Sequence, residues 1–293
     1  MSDTLRGLGW GLLGVAAFSL TLPATRVAVA GLDVGFVVVG RCLGAALLAG
    51  AILWATRQPW PARRDLWPLV GVALGLVLGF PLFTTYAMQT VPSFHGAIVI
   101  GLLPLATAIV GAIFGGERPS LAFWATGVGG SAVIVAFVLH DTAFEPGIGD
   151  LALVGSVIAG GFGYAIGGLL ARRMAAWQVI CWALVLSLPA LLPAALWTLR
   201  WPEAAVPATS WLGFGYVTVV SQLIGFFAWY RGLALGGIAR VGQLQLLQVF
   251  MTLAASAVLL GEQVGPHAIA YAAAVVALVA LGSRLRIGTK RRS

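Results

Sequence analysis

Apolar blocks of about 18–24 residues, separated by short polar breaks, run the length of this 293-residue chain. About 20 apolar residues in a helix span one bilayer core. Blocks that are apolar nearly all round face lipid or one another, not water. Hydrophobic residues fill 60% of positions and charged residues 9%, against roughly 45–50% and about 25% in soluble domains. A soluble helical protein would instead alternate polar and apolar faces at a period of about 3.6. The chain therefore reads as an all-α integral membrane protein.

Setting blocks against breaks predicts ten transmembrane helices, near 7–30, 34–56, 66–88, 92–114, 120–140, 150–171, 176–199, 209–232, 239–260 and 265–286. The breaks hold turn chemistry, such as Gly31-Leu32-Asp33, Gln58-Pro59-Trp60-Pro61 and Glu145-Pro146-Gly147. Every connection is too short for a soluble domain. Arg6, an apolar stretch and Ala28-Val29-Ala30 imitate a signal peptide, but the stretch exceeds the usual length of about 7–15 residues. It is read as a retained first span.

The net charge of +8 orients the chain; it does not point to nucleic acid. Fourteen of the 17 basic residues fall in alternate breaks and the termini: Arg6, Arg57, Arg63, Arg64, Arg118, Arg172, Arg173, Arg231, Arg240, Arg284, Arg286, Lys290, Arg291 and Arg292. The opposite loops hold Arg200, while Arg26 and Arg41 lie inside the first two spans. Positive loops stay cytoplasmic. Both termini are therefore expected inside, in a multi-pass protein of the inner (plasma) membrane. The lipid bilayer is its one large partner, and a monomer is expected.

A short pattern occurs twice. Leu53-Trp54-Ala55-Thr56-Arg57-Gln58-Pro59 returns as Leu196-Trp197-Thr198-Leu199-Arg200-Trp201-Pro202, each copy ending an apolar block. At an offset of 143–145, Tyr86 falls opposite Tyr230 and Gly116-Glu117 opposite Gly261-Glu262. Five helices per copy force the second to enter the membrane from the other side. The expected architecture is two inverted five-helix repeats around a central cavity. Residues 1–140 form the first repeat, 141–149 the connecting loop, and 150–293 the second repeat with its basic cytoplasmic tail. Inverted repeats of this kind build transporters.

The nine acidic residues all lie at termini or helix ends, so the intramembrane carboxylate of a proton or sodium relay is missing. Asp-rich magnesium clusters and His-Glu-x-x-His are also missing, and His95, His140 and His267 stand apart. The two cysteines lack metal-ligand spacing. No catalytic residue, metal or cofactor is expected. Uncharged polarity remains. Gln245, Gln248, Thr252 and Ser256 share one face of the ninth helix, and Thr218, Gln222, Gly225 and Trp229 one face of the eighth. Buried amides need partners in lipid. They either glue helices together or line a polar chamber, where an amide can meet both the carboxylate and the ammonium of an amino acid. Phe18, Tyr86, Tyr164 and Trp229 could pack a cargo side chain, with His95 near Tyr86. Each could equally be lipid-facing bulk.

Two further signals concern the backbone. The sixth helix is rich in glycine, with Gly160, Gly161, Gly163, Gly167 and Gly168, and Pro23 interrupts the first. Such paired weak points are either hinges of a carrier or simple close packing. Arg26 and Arg41 are expected to snorkel to the outer interface, as an outer gate or as a link to a substrate carboxylate.

Ten helices, two five-helix halves, and Gly116-Glu117-Arg118-Pro119 with its partner Gly261-Glu262-Gln263 resemble the ten-helix EamA branch of the drug/metabolite transporter superfamily. The overall pattern looks most like exporters of the YddG type. That resemblance implies alternating access around a cavity lined by helices 1, 3, 4, 6, 8 and 9, with helices 5 and 10 peripheral. It also implies export of amino acids, aromatic ones included, or related small metabolites. The substrate-binding candidates are Gln222, Gln245, Gln248, Thr252, Tyr86, His95, Trp229, Phe18 and Tyr164. Efflux of amphipathic drugs or other metabolites is the alternative within transport. An integral-membrane lipid-modifying enzyme is the alternative outside it.

Overall fold

The computed structural model describes residues 3–115, 117–118, 120–141, 146–202, 205–236, 241–242, 244–284 and 288–289. In chain order its helices are α1 (Leu5–Val29), α2 (Val34–Ala55), α3 (Arg63–Ala87), α4 (Ser93–Phe114), α5 (Leu121–Asp141) and α6 (Ile148–Leu170). There follow α7 (Ala176–Leu186 with Leu188–Thr198), α8 (Ala208–Gly236), α9 (Gln245–Leu260) and α10 (Pro266–Arg284). Six of them, α1, α2, α3, α4, α6 and α8, are long and apolar enough to cross a membrane, and α7 makes a seventh span if its two pieces count as one. The remaining apolar stretches, Trp124–His140, Gln245–Leu260 and Pro266–Leu278, are shorter. The chain is thus a helical, multi-pass membrane protein. Glu117–Arg118 and Gly288–Thr289 add a two-residue antiparallel ladder.

Prolines and π-turns break these helices at specific places. Pro23 has no N–H to give the Ser19 carbonyl; α1 turns at Leu20, and the Thr252 hydroxyl donates to Ser19 O at 2.8 Å. Pro104 likewise leaves Ile100, and α4 turns at Gly101–Leu102. Pro189 interrupts α7, which bends by 53° beside Ser187, so the single straight helix expected over 176–199 is two. Within α3 and α8 the backbone relaxes to π-helix over Ala73–Gly79 and Tyr216–Ile224. Such bulges leave carbonyls short of helical donors and often sit at functional sites.

The helices approach closely through glycine. Gly7 and Gly11 of α1 lie against Gly232 and Gly236 of α8, two small-xxx-small pairs. A Cβ on Gly232 would stand 2.6 Å from Gly11 N. α6 is unbroken despite its glycines. They admit neighbours instead: a Cβ on Gly161 would come within 2.9 Å of the Ala106 carbonyl carbon, and a Cβ on Gly75 of α3 would lie 2.6 Å from Ala159 O. α5 and α10 pack chiefly on each other.

Charged groups clip the ends of the bundle. At the end rich in arginine, Asp65 at the start of α3 pairs with Arg173 after α6 (3.3 Å). At the opposite end, His95 Nε2 of α4 lies 2.8 Å from Asp150 Oδ1 of α6. The other Asp150 oxygen accepts from Gly147 N and caps α6. Gly261 closes α9 in the left-handed conformation (φ 64°). That turn swings Glu262 over the start of α4, where it accepts from Ser93 N, Ser93 Oγ and Phe94 N at 2.9–3.0 Å. Arg26 completes this latch, with Nε 3.2 Å from Glu262 and Nη1 donating to Val91 O at 2.5 Å. Arg41 does not snorkel as expected. It is 1% exposed, because Ser221 and Gln222 of α8 offer polar partners inside the bundle.

Candidate functional site

Two adjoining cavities lie between the two clipped ends, sharing Leu22, Ile100 and Gln248 as walls. They enclose about 270 and about 370 Å³ of empty space counted out to their mouths. Their centres hold room for about one water each. Cargo larger than water would require the walls of these two cavities to part. Lining residues come from α1, α2, α3, α4, α6, α8 and α9, and among the described residues α5, α7 and α10 contribute none. The walls converge there because the α1 break and the α4 break both face this space: Leu22 follows the first, and Ile100 and Gly101 border the second.

The smaller cavity is an amide pocket. Gln245, Gln248 and Thr252 project from one face of α9 against Ala97 and Gly101 of α4. Gln245 is buried and its Nε2 has no hydrogen-bond partner. The Thr252 hydroxyl is committed to Ser19 O. The larger cavity has two chemically different walls. One is aromatic, where Phe18, Tyr164 and Phe226 stand with ring centroids 4.9–6.2 Å apart. Offset and tilted arrangements at such distances are favourable. The other wall is polar and carries Thr21, Arg41, Ser221 and Gln222.

The polar wall is a connected network built on the π-turns. Gln222, inside the α8 π-stretch, donates Nε2 to Leu76 O in the α3 π-stretch at 2.9 Å. Its Oε1 accepts from Arg41 Nη2 at 3.1 Å. Ser221 Oγ shares a hydrogen bond with Thr21 Oγ1 at 2.8 Å, and Arg41 Nη2 reaches it at 3.4 Å. Cys42 Sγ contacts Val77 O at 2.8 Å. Freed backbone carbonyls are thereby satisfied from neighbouring helices. The Arg41 guanidinium still has Nε and Nη1 buried without partners. Among the described residues, no carboxylate pairs with it.

Of the nine substrate-binding candidates, Gln222, Gln245, Gln248, Thr252, Phe18 and Tyr164 line the cavities. Trp229 stands just behind, 6.3 Å from the Phe18 ring and 5.8 Å from Tyr164. His95 lies apart, packed on Phe137 and Asp150, and Tyr86 is 41% exposed on the outer surface. Sequence reasoning missed Thr21, Ser221 and Phe226, and placed Arg41 at the outer interface, as a gate or a link to a substrate carboxylate, not buried on the cavity wall. Thr21, two residues before Pro23, carried a usable signal: proline breaks in membrane helices attract polar side chains.

Comparison with known proteins adds a family. The EamA-like transporter family matches residues 5–139 and again residues 147–283. The "Uncharacterized transporter YdeK" of Bacillus subtilis (strain 168) is 47% identical over 97% of this chain and 99% of its own length. A "Probable terminal-alkyne amino-acid exporter" of Streptantibioticus cattleyicolor is 29% identical over 97% of this chain and 96% of its own. One solved crystal structure superposes with a TM-score of 0.64 at 19% identity, covering 94% of this chain and 97% of that one.

Proposed function

The chain belongs to the EamA-like transporter family and is a membrane transporter, not an enzyme; from that premise we propose that it exports amino acids or closely related metabolites by alternating access. The observation carrying this reading is the chamber itself. It sits between the two clipped ends, with amides on one wall and tilted aromatic rings on another. Amides suit the backbone of an amino acid, and aromatic rings suit its side chain. The amino-acid exporter among the relatives supports the same cargo class.

In this reading ten helices cross the inner membrane as two inverted repeats, residues 1–140 and 150–293, with both termini cytoplasmic. Three observations support it. The family matches the chain twice, once on each side of residue 140. The π-stretches begin at Ala73 and Tyr216, 143 residues apart, as duplicated third and eighth helices should. The turns at Gly101 in α4 and Leu244 ahead of α9 are also 143 apart. Discontinuous helices at matching places in two repeats mark carrier sites. Reporter tags after Gln58 and after Ala205 are expected on opposite sides of the membrane. The same side for both would end the inverted-repeat reading.

The direct test is transport in proteoliposomes. Purified full-length protein should release preloaded leucine or phenylalanine faster than empty vesicles, and no flux of any amino acid from folded protein would end the cargo assignment. Two variants divide the amides. Gln248→Ala removes a cavity amide that spans both chambers and should lower flux at unchanged melting temperature. Gln222→Ala strands Leu76 O and weakens the hold on Arg41, so it should lower flux and stability together, by about 1–3 kcal/mol. Unchanged flux in both variants would make these amides helix glue alone.

A further inference from the structure

We propose that Arg41 is the anchor for a carboxylate on the cargo, so that the site accepts carboxylate-bearing molecules and rejects their uncharged and cationic relatives. The inference rests on the export reading above and names the chemistry that the cargo must carry.

Three facts lead to it. Arg41 is 1% exposed in the middle of the bundle, an expensive place for a cation. Its Nη2 is spent on Gln222 and Ser221, while Nε and Nη1 are buried without a partner among the described residues, on a side chain that lines the larger cavity. A structural buried arginine is normally neutralised by a carboxylate from its own chain, and none of the described salt bridges includes it. A network holds the cation beside the cavity through one nitrogen and leaves two donors unspent. That is preorganisation for an anion that arrives from outside.

The rest of the chamber fits one size and polarity. Gln245 Nε2, the orphaned group in the adjoining cavity, is also a donor. The buried side-chain groups left unpaired around the two cavities, Arg41 Nε and Nη1 and Gln245 Nε2, are donors, which suits carboxylate oxygens. Phe18, Tyr164 and Phe226 face the same cavity as Arg41. A carboxylate on Arg41 would place an apolar side chain against them, and Gln248, at the junction, lies where a neighbouring amino group can find an amide oxygen. A cationic amphiphile would instead meet an uncompensated positive charge.

The test uses purified full-length protein in detergent and follows thermal stabilisation by matched pairs: leucine with leucinamide, phenylalanine with phenylalaninamide, phenylacetate with phenylacetamide. The carboxylate of each pair should bind about 10- to 100-fold tighter than its amide, the span expected for hydrogen bonds to a charged partner. Arg41→Gln and Arg41→Lys cover the chance that one variant folds poorly. Arg41→Gln should lose this discrimination, and without ligand it should melt close to wild type, since the loss of the hydrogen bonds to Gln222 and Ser221 is offset by removal of a buried charge that no carboxylate neutralises. A purely structural arginine would do the reverse, lowering the melting point and leaving the discrimination intact. Equal binding of acid and amide to wild type overturns the proposal while leaving amino-acid export standing. Binding of phenylacetate without either amino acid keeps the anchor and removes the amino-acid reading. Stabilisation by no carboxylate at all overturns the anchor.

Discussion

Glu262→Ala should unlatch the end of the bundle opposite the arginine-rich loops and cost about 2–3 kcal/mol of stability. One carboxylate there does three things. It caps α4 by accepting from Ser93 N and Phe94 N, binds the Ser93 hydroxyl, and neutralises Arg26. Breaking a buried ion pair costs about 3–5 kcal/mol. Arg26 is a third exposed, so water recovers part of that. The lost cap contributes about 1 kcal/mol in the other direction. Glu262→Gln keeps one acceptor oxygen for the helix start but forfeits the charge and the second acceptor, so its loss should be smaller than that of alanine but not negligible. The readout beyond melting is access. A cysteine replacing Leu22, which walls both cavities, should react with a membrane-impermeant thiol reagent faster in Glu262→Ala than in the parent. Unchanged reactivity and an unchanged melting point would mean that the latch holds nothing shut.

That latch was half legible in the sequence. Gly261-Glu262 stood out as a repeat element, and a glycine after an apolar helix announces a left-handed turn. Which helix start the glutamate would cap could not be read, because α4 lies far away in the chain. Of the counterpart turn, Gly116 and Pro119 lie outside the described residues. The same division runs through the molecule. Helix positions were readable because each apolar block is its own signal, and nearly every observed end falls within a few residues of its expected place. The break at Leu20 was readable from Pro23; the hydroxyl that repairs it, Thr252, was readable only as one member of a polar face. The π-stretches left no mark, and the side chain that meets Leu76 O of α3 comes from another helix, Gln222 of α8. Arg41 was placed at the interface because snorkelling is the usual escape for a membrane arginine. Nothing local showed that α8 would bring Ser221 and Gln222 to meet it.

The arginine-rich end closes by a different force, and Gly232→Val tests it. Two apolar helices in lipid gain little from hiding apolar surface from each other, so close backbone contact and packing must hold them. At α1 and α8 that contact depends on hydrogen in place of a side chain. A Cβ on Gly232 would lie 2.6 Å from Gly11 N and 2.8 Å from Gly11 Cα. Both obstacles are backbone, so no rotamer change relieves them, and the helices must separate along Gly7, Gly11, Gly232 and Gly236. Overpacking typically costs about 1–3 kcal/mol, and a backbone clash belongs at the upper end. Gly9→Val is the control: it sits on α1 between Gly7 and Gly11, its Cβ would meet nothing within 4 Å, and it should be neutral or slightly stabilising. The expected result is a large drop in melting temperature and folded yield for Gly232→Val alone. If the folded fraction is labelled from the arginine-rich side, the Leu22→Cys reporter should gain reactivity there, the mirror of the Glu262→Ala result. Equal behaviour of the two glycine variants would show that α1 and α8 do not meet as closely as 2.6 Å implies, and the closure at this end would have to come from other helices.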